Sequence, residues 1–278
     1  KKKLIQGQAA TLVGGLYTPE IVEFVGQFGF EGILIDTEHA PTDWQMISHM
    51  CMASDLWGMA PIVRVNHNEP SLISRTLDVG ASGIVVPHIN TVEDAKQAVE
   101  AAKYYPLGSR GTSNTRHTYG HSLTEYYRLA NDQVLVIALL EELRAIDNLG
   151  ALLTVDGIDV FLIGPGDLAQ TMGLPGQMTD PKVVDVVEGA IKKISNAGKI
   201  AGTTGDIGNI ENKYDIGVKF FLTNWGPWVR TGANAYLEIA KSRGSVRGWR
   251  LNMLNNNWAF NNSTRRAIQL NVENKQTA

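Results

Sequence analysis

The sequence predicts a (β/α)8 barrel, in which eight parallel strands alternate with helices. Eight short apolar segments, rich in β-branched residues, recur along the chain about one β/α unit apart. Stretches with helical spacing of apolar residues lie between most of them. Uniformly apolar strands are typical of a parallel sheet that is buried on both faces. The predicted strands are Thr11–Leu16, Gly32–Ile35, Pro61–Val65, Gly83–Val86, Val134–Leu140, Val160–Ile163, Ile200–Thr203 and Phe220–Thr223.

Periodicity and capping residues indicate the helices. Ile21, Phe24 and Val25 repeat at i, i+3 and i+4, which places them on one face of a helix. Thr91, followed by acidic residues, predicts a helix start because a hydroxyl caps the first free amides. The pair Asp180–Pro181 predicts another, since proline suits the first helical position.

The main alternative is a doubly wound nucleotide-binding fold. That fold carries a glycine-rich fingerprint after its first strand, and Gly14-Gly15-Leu16 lacks the required spacing. The sequence also contains no lysine in a phosphate-binding loop. We therefore favour the barrel.

Two segments fall outside the repeat. Residues 106–133 form a long connection rich in polar residues, and such connections are often functional. The barrel is expected to occupy residues 1–243, followed by a C-terminal extension over residues 244–278. We expect this extension to pack on the barrel or on a neighbouring subunit, because a disordered tail does not need large apolar residues. These residues are Trp249, Leu251, Leu254, Trp258 and Phe260.

Composition excludes several classes of protein. The chain has 25 Lys and Arg against 28 Asp and Glu, so it lacks the cationic excess needed for non-specific nucleic-acid binding. The longest apolar run, Val134–Leu140, is too short to span a membrane, and the N-terminal residues lack the apolar stretch of a secretory signal. The single cysteine, Cys51, cannot form an internal disulfide. We expect a cytoplasmic protein that binds neither nucleic acid nor membrane.

Ionisable residues follow several predicted strands, at the end of the barrel where catalytic groups project in this fold. They are Asp36, Glu38 and His39 after the second strand, Arg64 at the third, Glu141 and Glu142 after the fifth, and Asp167 after the sixth. Glu141 and Asp167 are 26 residues apart, so both can face one rim from adjacent strands. Two carboxylates suit a hard cation such as Mg²⁺ or Mn²⁺, although they could instead cap nearby helices.

The other polar residues allow two interpretations each. Arg64 is either a structural ion-pair partner or an anion-binding group, and His39 is either a loop histidine or a base. A structural or merely exposed role is expected for His49, His67 and His88. Four cationic residues of the long connection either bind an acidic substrate or are simply solvated: Arg110, Arg116, His117 and His121.

Three motifs follow one another along the chain: Ile35-Asp36-Thr37-Glu38-His39-Ala40-Pro41, Leu77-Asp78-Val79-Gly80 and Ile163-Gly164-Pro165-Gly166-Asp167-Leu168. Together they resemble the HpcH/HpaI aldolase family, which contains metal-dependent class II aldolases specific for pyruvate. The likeness runs from about residue 10 to about residue 240. It implies a (β/α)8 barrel that exchanges its last helix between subunits and forms a homo-oligomer, usually a hexamer built as a trimer of dimers.

The resemblance also implies roles for individual residues. Glu141 and Asp167 would bind the divalent metal, with Mg²⁺ as the first expectation and Mn²⁺ or Co²⁺ as alternatives. His39 would be the base, and Arg64 would steady the enolate oxygen. Asp78 would raise the basicity of the histidine.

Asp78 precedes the fourth strand and therefore lies at the end of the barrel opposite the catalytic rim. Its contact with His39 would need a partner subunit or an irregular turn.

The substrate contacts depart from the family pattern. The backbone around Gly166 would hold the pyruvate carboxylate next to Asp167, but the family usually has alanine at position 166. Leu139 stands where the family usually has a glutamine that touches the substrate, and about Val13 it often has tryptophan. These changes affect the pocket more than the metal ligands.

The resemblance therefore implies a carbon–carbon lyase that forms a pyruvate enolate by reversible aldol cleavage of a 4-hydroxy-2-oxo acid. The alternative is an oxaloacetate decarboxylase, or an enzyme like macrophomate synthase, that uses the same enolate. A lesser alternative is a catalytically silent barrel that binds a ligand.

Overall fold

The computed structural model describes residues 1–242 and confirms the predicted barrel. Eight parallel strands close in sequence order, because β1 pairs with both β2 and β8. Every observed strand begins and ends within two residues of its predicted bounds. The strands are Ala10–Gly14 (β1), Gly32–Asp36 (β2), Ala60–Arg64 (β3), Gly83–Val86 (β4), Leu135–Leu140 (β5), Val160–Ile163 (β6), Ala201–Thr204 (β7) and Val218–Asn224 (β8).

Helices connect the strands, and the two predicted helix starts are confirmed. Thr91 caps α5 through a reciprocal capping box with Asp94, and the Asp180 side chain accepts a hydrogen bond from the Lys182 N–H at the start of α10. The helices are Lys2–Ile5 (α1), Pro19–Gly26 (α2), Trp44–Leu56 (α3), Pro70–Asp78 (α4), Val92–Ala102 (α5), Leu123–Gln133 (α6), Leu143–Asp147 (α7), Leu149–Leu152 (α8), Pro165–Thr171 (α9), Pro181–Asn196 (α10), Ile210–Asp215 (α11) and Trp225–Ser242 (α12).

The segment 106–133 differs from the long polar connection expected from the sequence. Its last 11 residues form the helix α6, and a single 3₁₀ turn over Arg116–Thr118 comes before it. α6 buries only Tyr126 and Ala130, and its polar composition resembles that of a loop.

The chain divides into two units, with the boundary between Gly226 and Pro227. The first unit contains all eight strands, and the second is described only through Ser242, the last residue of α12. The predicted extension over residues 244–278, with its large apolar residues, lies outside the described residues. Within residues 1–242, none of the helices has both the length and the apolar character that crossing a membrane requires.

The strands separate two apolar cores, because successive side chains of a strand point to opposite faces. Residues that point inward fill the barrel interior, and residues that point outward pack against the helices in a larger core. On β5 the interior residues are Leu135, Ile137 and Leu139, so the next inward position is Glu141. The same alternation places Asp36 above Leu34 on β2. The interior core therefore ends in ionisable residues at the carboxyl ends of the strands.

Gly83, at the start of β4, allows a close approach to β5. A Cβ atom at this position would lie 2.7 Å from both the Cβ and the carbonyl oxygen of Leu135. Gly189, on the exposed face of α10, has no such neighbour within 4 Å. The two glycines therefore differ in whether a side chain can be accommodated.

We predict opposite effects when these glycines are replaced by alanine. Gly83→Ala should lower the free energy of unfolding by about 1–3 kcal/mol, because β4 and β5 must move apart. Gly189→Ala should raise it by about 0.5–1 kcal/mol, because alanine has the higher helix propensity. Urea denaturation of both variants measures the difference. A Gly83→Ala variant as stable as the parent would contradict the importance of this close approach.

Candidate active site

Charged side chains meet at the carboxyl ends of β2, β3 and β5, above the interior core. Asp36 and Arg64 are direct neighbours in the β2–β3 register, and Glu141 follows the last residue of β5. Active sites of (β/α)8 enzymes lie at this end of the barrel. We refer to Asp36, Glu38, Arg64, His88 and Glu141 together as the acidic rim.

Arg64 is held in one orientation by two acids of this rim. Its Nε and Nη2 donate hydrogen bonds to the two oxygens of Asp36 at 2.9 and 2.7 Å, and its Nη1 lies 3.0 Å from Oε2 of Glu38. Burial alone would lower the pKa of Arg64 and raise the pKa of Asp36, but the pairing outweighs it in both cases. The pKa of Asp36 therefore lies below its usual value, and both groups stay charged.

Glu141 is a carboxylate in the opposite situation. It is only 2% exposed, and burial raises its pKa to about 7. The N–H of His88 donates to its Oε1 at 3.0 Å and favours the charged form, whereas the charges of Glu38 and Asp167 oppose it. Its Oε2 lies on the side of Gly164, where a Cβ would be 3.4 Å away. A buried acid among other acids is an environment that a bound cation would stabilise.

The donor atoms of the rim fit a divalent cation. One ligand atom from each of Glu38, His88 and Glu141 lies within 4.8 Å of the others. Asp167, in the first turn of α9, is close enough to contribute to the raised pKa of Glu141. Carboxylate oxygens suit Mg²⁺ and Mn²⁺, and an added imidazole suits Co²⁺ and other transition metals. Glu141 is common to the predicted pair and to this cluster.

The other predicted site residues near the rim differ in how exposed they are to solvent. His39 is at the surface, with its side chain 64% exposed and its Nε2 3.7 Å from Oε2 of Glu38. Gly166 is exposed beside Asp167 at the start of α9. Leu139 is buried in the interior core, and its Cδ1 would lie 3.2 Å from a Cβ at Gly164. Leu139 therefore forms part of the apolar floor beneath Glu141.

Asp78 lies at the other end of the barrel, as its place before β4 requires. It ends α4, and its Oδ1 accepts a hydrogen bond at 2.7 Å from Nη2 of Arg110, whose side chain is 1% exposed. Arg116 of the same connection pairs with Asp55. Within the described chain, Asp78 and His39 are not brought together. The role of Asp78 therefore stays a prediction that requires a partner subunit.

Three rim residues have no catalytic or binding role in the sequence-based prediction, namely Asp36, Glu38 and His88. Asp36 and Glu38 stand among the ionisable residues at the end of the second strand, but the sequence alone does not show which groups they contact. If the alternation of inward and outward side chains along β4 continued, residue 88 would point outward, as Val86 does. His88 instead has a left-handed backbone, with φ of 54°, which changes the direction of its side chain. Its position two residues after the end of β4 is the signal that could have identified it.

Comparison with known proteins identifies the family. Residues 14–210 match the family model described as HpcH/HpaI aldolase/citrate lyase. The chain is 37% identical over 228 residues to a hydroxypyruvate/pyruvate aldolase of Cupriavidus necator, which covers 81% of this chain and 84% of that protein. It is 37% identical over 190 residues to a 4-hydroxy-2-oxo-heptane-1,7-dioate aldolase of Salmonella typhimurium, which covers 68% of this chain and 72% of that protein.

A solved structure agrees with these sequence matches. The crystal structure of an HpcH/HpaI aldolase from Desulfitobacterium hafniense DCB-2 has a TM-score of 0.80 and 25% identity, and the match covers 90% of this chain and 98% of the other. The chain therefore belongs to the HpcH/HpaI aldolase/citrate lyase family.

We predict that Glu141→Gln stabilises the metal-free protein at alkaline pH. Because the pKa of Glu141 is raised from 4.5 to about 7 in the folded state, the native protein binds more protons than the unfolded chain between these values, and its stability falls as pH rises through this window. In the presence of a chelator, the variant should exceed the parent by on the order of 1–3 kcal/mol at pH 8. At pH 4.5 the two should be similar.

Urea denaturation at both pH values tests this prediction. Glu100→Gln, an exposed substitution on α5, is the control and should show no such pH dependence. A Glu141→Gln variant with the same stability difference at pH 4.5 and pH 8 would exclude a raised pKa as the cause.

Proposed function

We propose that this protein is a divalent-metal-dependent carbon–carbon lyase that forms a pyruvate enolate by reversible aldol cleavage of a 4-hydroxy-2-oxo acid. The observation that carries the proposal is the acidic rim itself. It combines a fixed guanidinium, Arg64, with a buried acid, Glu141, whose pKa stays raised although the imidazole of His88 lies 3.4 Å from its Oε1. The similarity to aldolases of Cupriavidus necator and Salmonella typhimurium supports the reaction type.

Glu141 and Asp167 would hold the metal, with Mg²⁺ as the first expectation and Mn²⁺ or Co²⁺ as alternatives. A divalent cation bound there would act as a Lewis acid on the oxygens of the 2-oxo acid. The N–H of His88 orients Glu141 by holding Oε1, so that Oε2 remains on the side of α9, where Asp167 lies.

Arg64 would stabilise the negative charge that develops on the enolate oxygen. Asp36 and Glu38 hold the guanidinium before substrate binds, so it does not have to reorganise during the reaction. His39 would act as the base at the rim, taking the proton of the 4-hydroxyl as the bond between C3 and C4 breaks. The bonding electrons move into the enolate, the aldehyde leaves, and the proton held by His39 is returned to C3 to complete pyruvate.

The remaining residues would shape the pocket. The free N–H groups in the first turn of α9, at Gly166 and Asp167, would receive the carboxylate of the 2-oxo acid. Leu139 would contact the substrate from below through apolar atoms. Asp78 of a neighbouring subunit would support His39.

A second candidate reaction is decarboxylation of oxaloacetate to the same enolate. Leu139 is the reason to consider this reaction. The family resemblance leads us to expect a glutamine that hydrogen-bonds to the substrate at this position, and leucine offers only apolar contact. The two reactions differ in whether carbon dioxide or an aldehyde leaves.

We further propose a cytoplasmic homo-oligomer, a hexamer built as a trimer of dimers. α12 carries several large apolar side chains that are exposed in the single chain, including Val229, Tyr236 and Ile239. Exposed apolar surface of this kind is typical of an interface between proteins.

Chelation should abolish cleavage of 4-hydroxy-2-oxo acids, and Mg²⁺, Mn²⁺ or Co²⁺ should restore it, because the charge of the metal is needed to stabilise the enolate. Pyruvate release after treatment with EDTA and after readdition of each metal measures this. Activity that survives exhaustive chelation, or trapping of substrate on a lysine by borohydride, would contradict the proposal. Pyruvate release from oxaloacetate alone, with no cleavage on a broad panel of aldol substrates, would favour the second candidate.

Arg64→Ala should lower kcat by about 10²–10³-fold, since it removes a charge that acts on the developing enolate. The KM should change less, because this charge is needed mainly in the transition state. Arg64→Lys should restore part of the rate, since an ammonium group cannot reproduce the planar fork. Arg128→Ala, which removes an exposed arginine of α6, should leave kcat unchanged. A kcat for Arg64→Ala within a few-fold of the parent, with metal binding intact, would remove Arg64 from the mechanism.

A further inference from the structure

We propose that His88 supplies a nitrogen ligand to the metal bound at Glu141, which makes the rim a mixed nitrogen–oxygen site. This inference deepens the proposed function and rests on it for the presence of a cation at Glu141. It adds a ligand that neither the sequence motifs nor the pair Glu141 and Asp167 include.

The imidazole of His88 lies at the distance expected of a neighbouring ligand. Its Nε2 is 3.6 Å from Oε1 of Glu38, and the ligand atoms of Glu38, His88 and Glu141 all lie within 4.8 Å of one another. Two ligands bound about 2.1 Å from one ion are separated by roughly 3–3.5 Å. Small adjustments of the side chains would therefore bring these atoms onto a common ion.

A second carboxylate orients the ring for this task. The Nδ1 of His88 lies 2.9 Å from Oε1 of Glu142, which does not belong to the cluster of ligand atoms, and 3.4 Å from Oε1 of Glu141, so Glu142 is its nearer partner. If Nδ1–H donates to Glu142, the lone pair of Nε2 remains free for a metal. A carboxylate that accepts the second N–H of a ligating histidine is the usual arrangement around metal-bound histidines.

The backbone at His88 directs two groups toward the same acids. Among residues 1–242, His88 is the one non-glycine residue with positive φ, at 54°. This conformation costs free energy for a residue with a side chain, and such residues concentrate at functional sites. Here it places the His88 N–H on Oε1 of Glu141 and the ring beside Glu38. The unfavourable backbone conformation of His88 is therefore the one that brings its N–H and its ring to the acids of the rim.

Glu38 can serve both the metal and Arg64, because its two oxygens face different partners. Oε2 lies 3.0 Å from Nη1 of Arg64, whereas Oε1 faces Nε2 of His88. Binding of a cation at Oε1 therefore leaves the contact with Arg64 in place.

A nitrogen ligand changes which metal the site prefers. Mg²⁺ selects oxygen ligands, whereas imidazole favours Co²⁺ and other transition metals. We therefore expect tighter binding of Co²⁺ than of Mg²⁺, and we expect this preference to depend on His88.

The test compares metal affinity in the parent and in His88→Gly, using full-length protein freed of metal by a chelator. Glycine adopts positive φ without strain, so the variant keeps the turn and the N–H donated to Glu141 while it loses the ring. Titration calorimetry should show the Co²⁺ affinity falling by about 10-fold or more, and the Mg²⁺ affinity changing by less than about 3-fold. The visible absorption of bound Co²⁺ should also change.

His67→Ala removes another exposed histidine, in the loop after β3, and should leave both affinities unchanged. Unchanged Co²⁺ binding in His88→Gly would overturn the inference, and so would equal losses for Co²⁺ and Mg²⁺, which indicate a role in positioning alone. A parent that binds neither metal would overturn both this inference and the proposed function. If Co²⁺ binding depends on His88 but no aldol substrate is cleaved, the inference holds and the proposed function fails.

Discussion

The alternation of side chains along the closed strands determines what can stand at the rim. In β2 and β5 the side chains that point into the barrel are apolar up to the carboxyl end of the strand. The next inward position is ionisable: Asp36 comes after Leu34 in β2, and Glu141 comes after Leu139 in β5. A register shift of one residue in either strand would turn its inward side chains toward the helices, and the acids would then point away from the barrel interior. The strand register that stabilises the barrel is therefore also the register that assembles the candidate site.

The two kinds of acid on the rim are distinguished by their environments. Asp36 has a cation within hydrogen-bonding distance, and its pKa is lowered. Glu141 is buried near other acids, and its pKa is raised. Environments that push the pKa values of nearby acids apart commonly assign them different roles. Asp36 thus acts as a fixed counter-charge for Arg64, whereas Glu141 has capacity for a further positive charge.

Most of the barrel could be predicted from the sequence, because each strand is a short apolar run whose burial on both faces leaves little ambiguity. α6 could not, since it buries only Tyr126 and Ala130 and its composition resembles that of a polar connection. Within the site, Arg64 and Glu141 could be predicted because they directly continue the strands. His88 could not, because its left-handed backbone breaks the alternation on which that reasoning depends.

Glu38 has a consequence for how ligands of this site would influence each other. One carboxylate lies between the guanidinium of Arg64 and the imidazole of His88. A cation bound at one oxygen withdraws negative charge from the other, so Arg64 becomes less fully neutralised and attracts an anion more strongly. Linkage requires the effect to be reciprocal, so that an anionic ligand beside Arg64 raises the affinity for the cation. Through this carboxylate, a cation and an acidic ligand would bind at the rim cooperatively rather than as independent events.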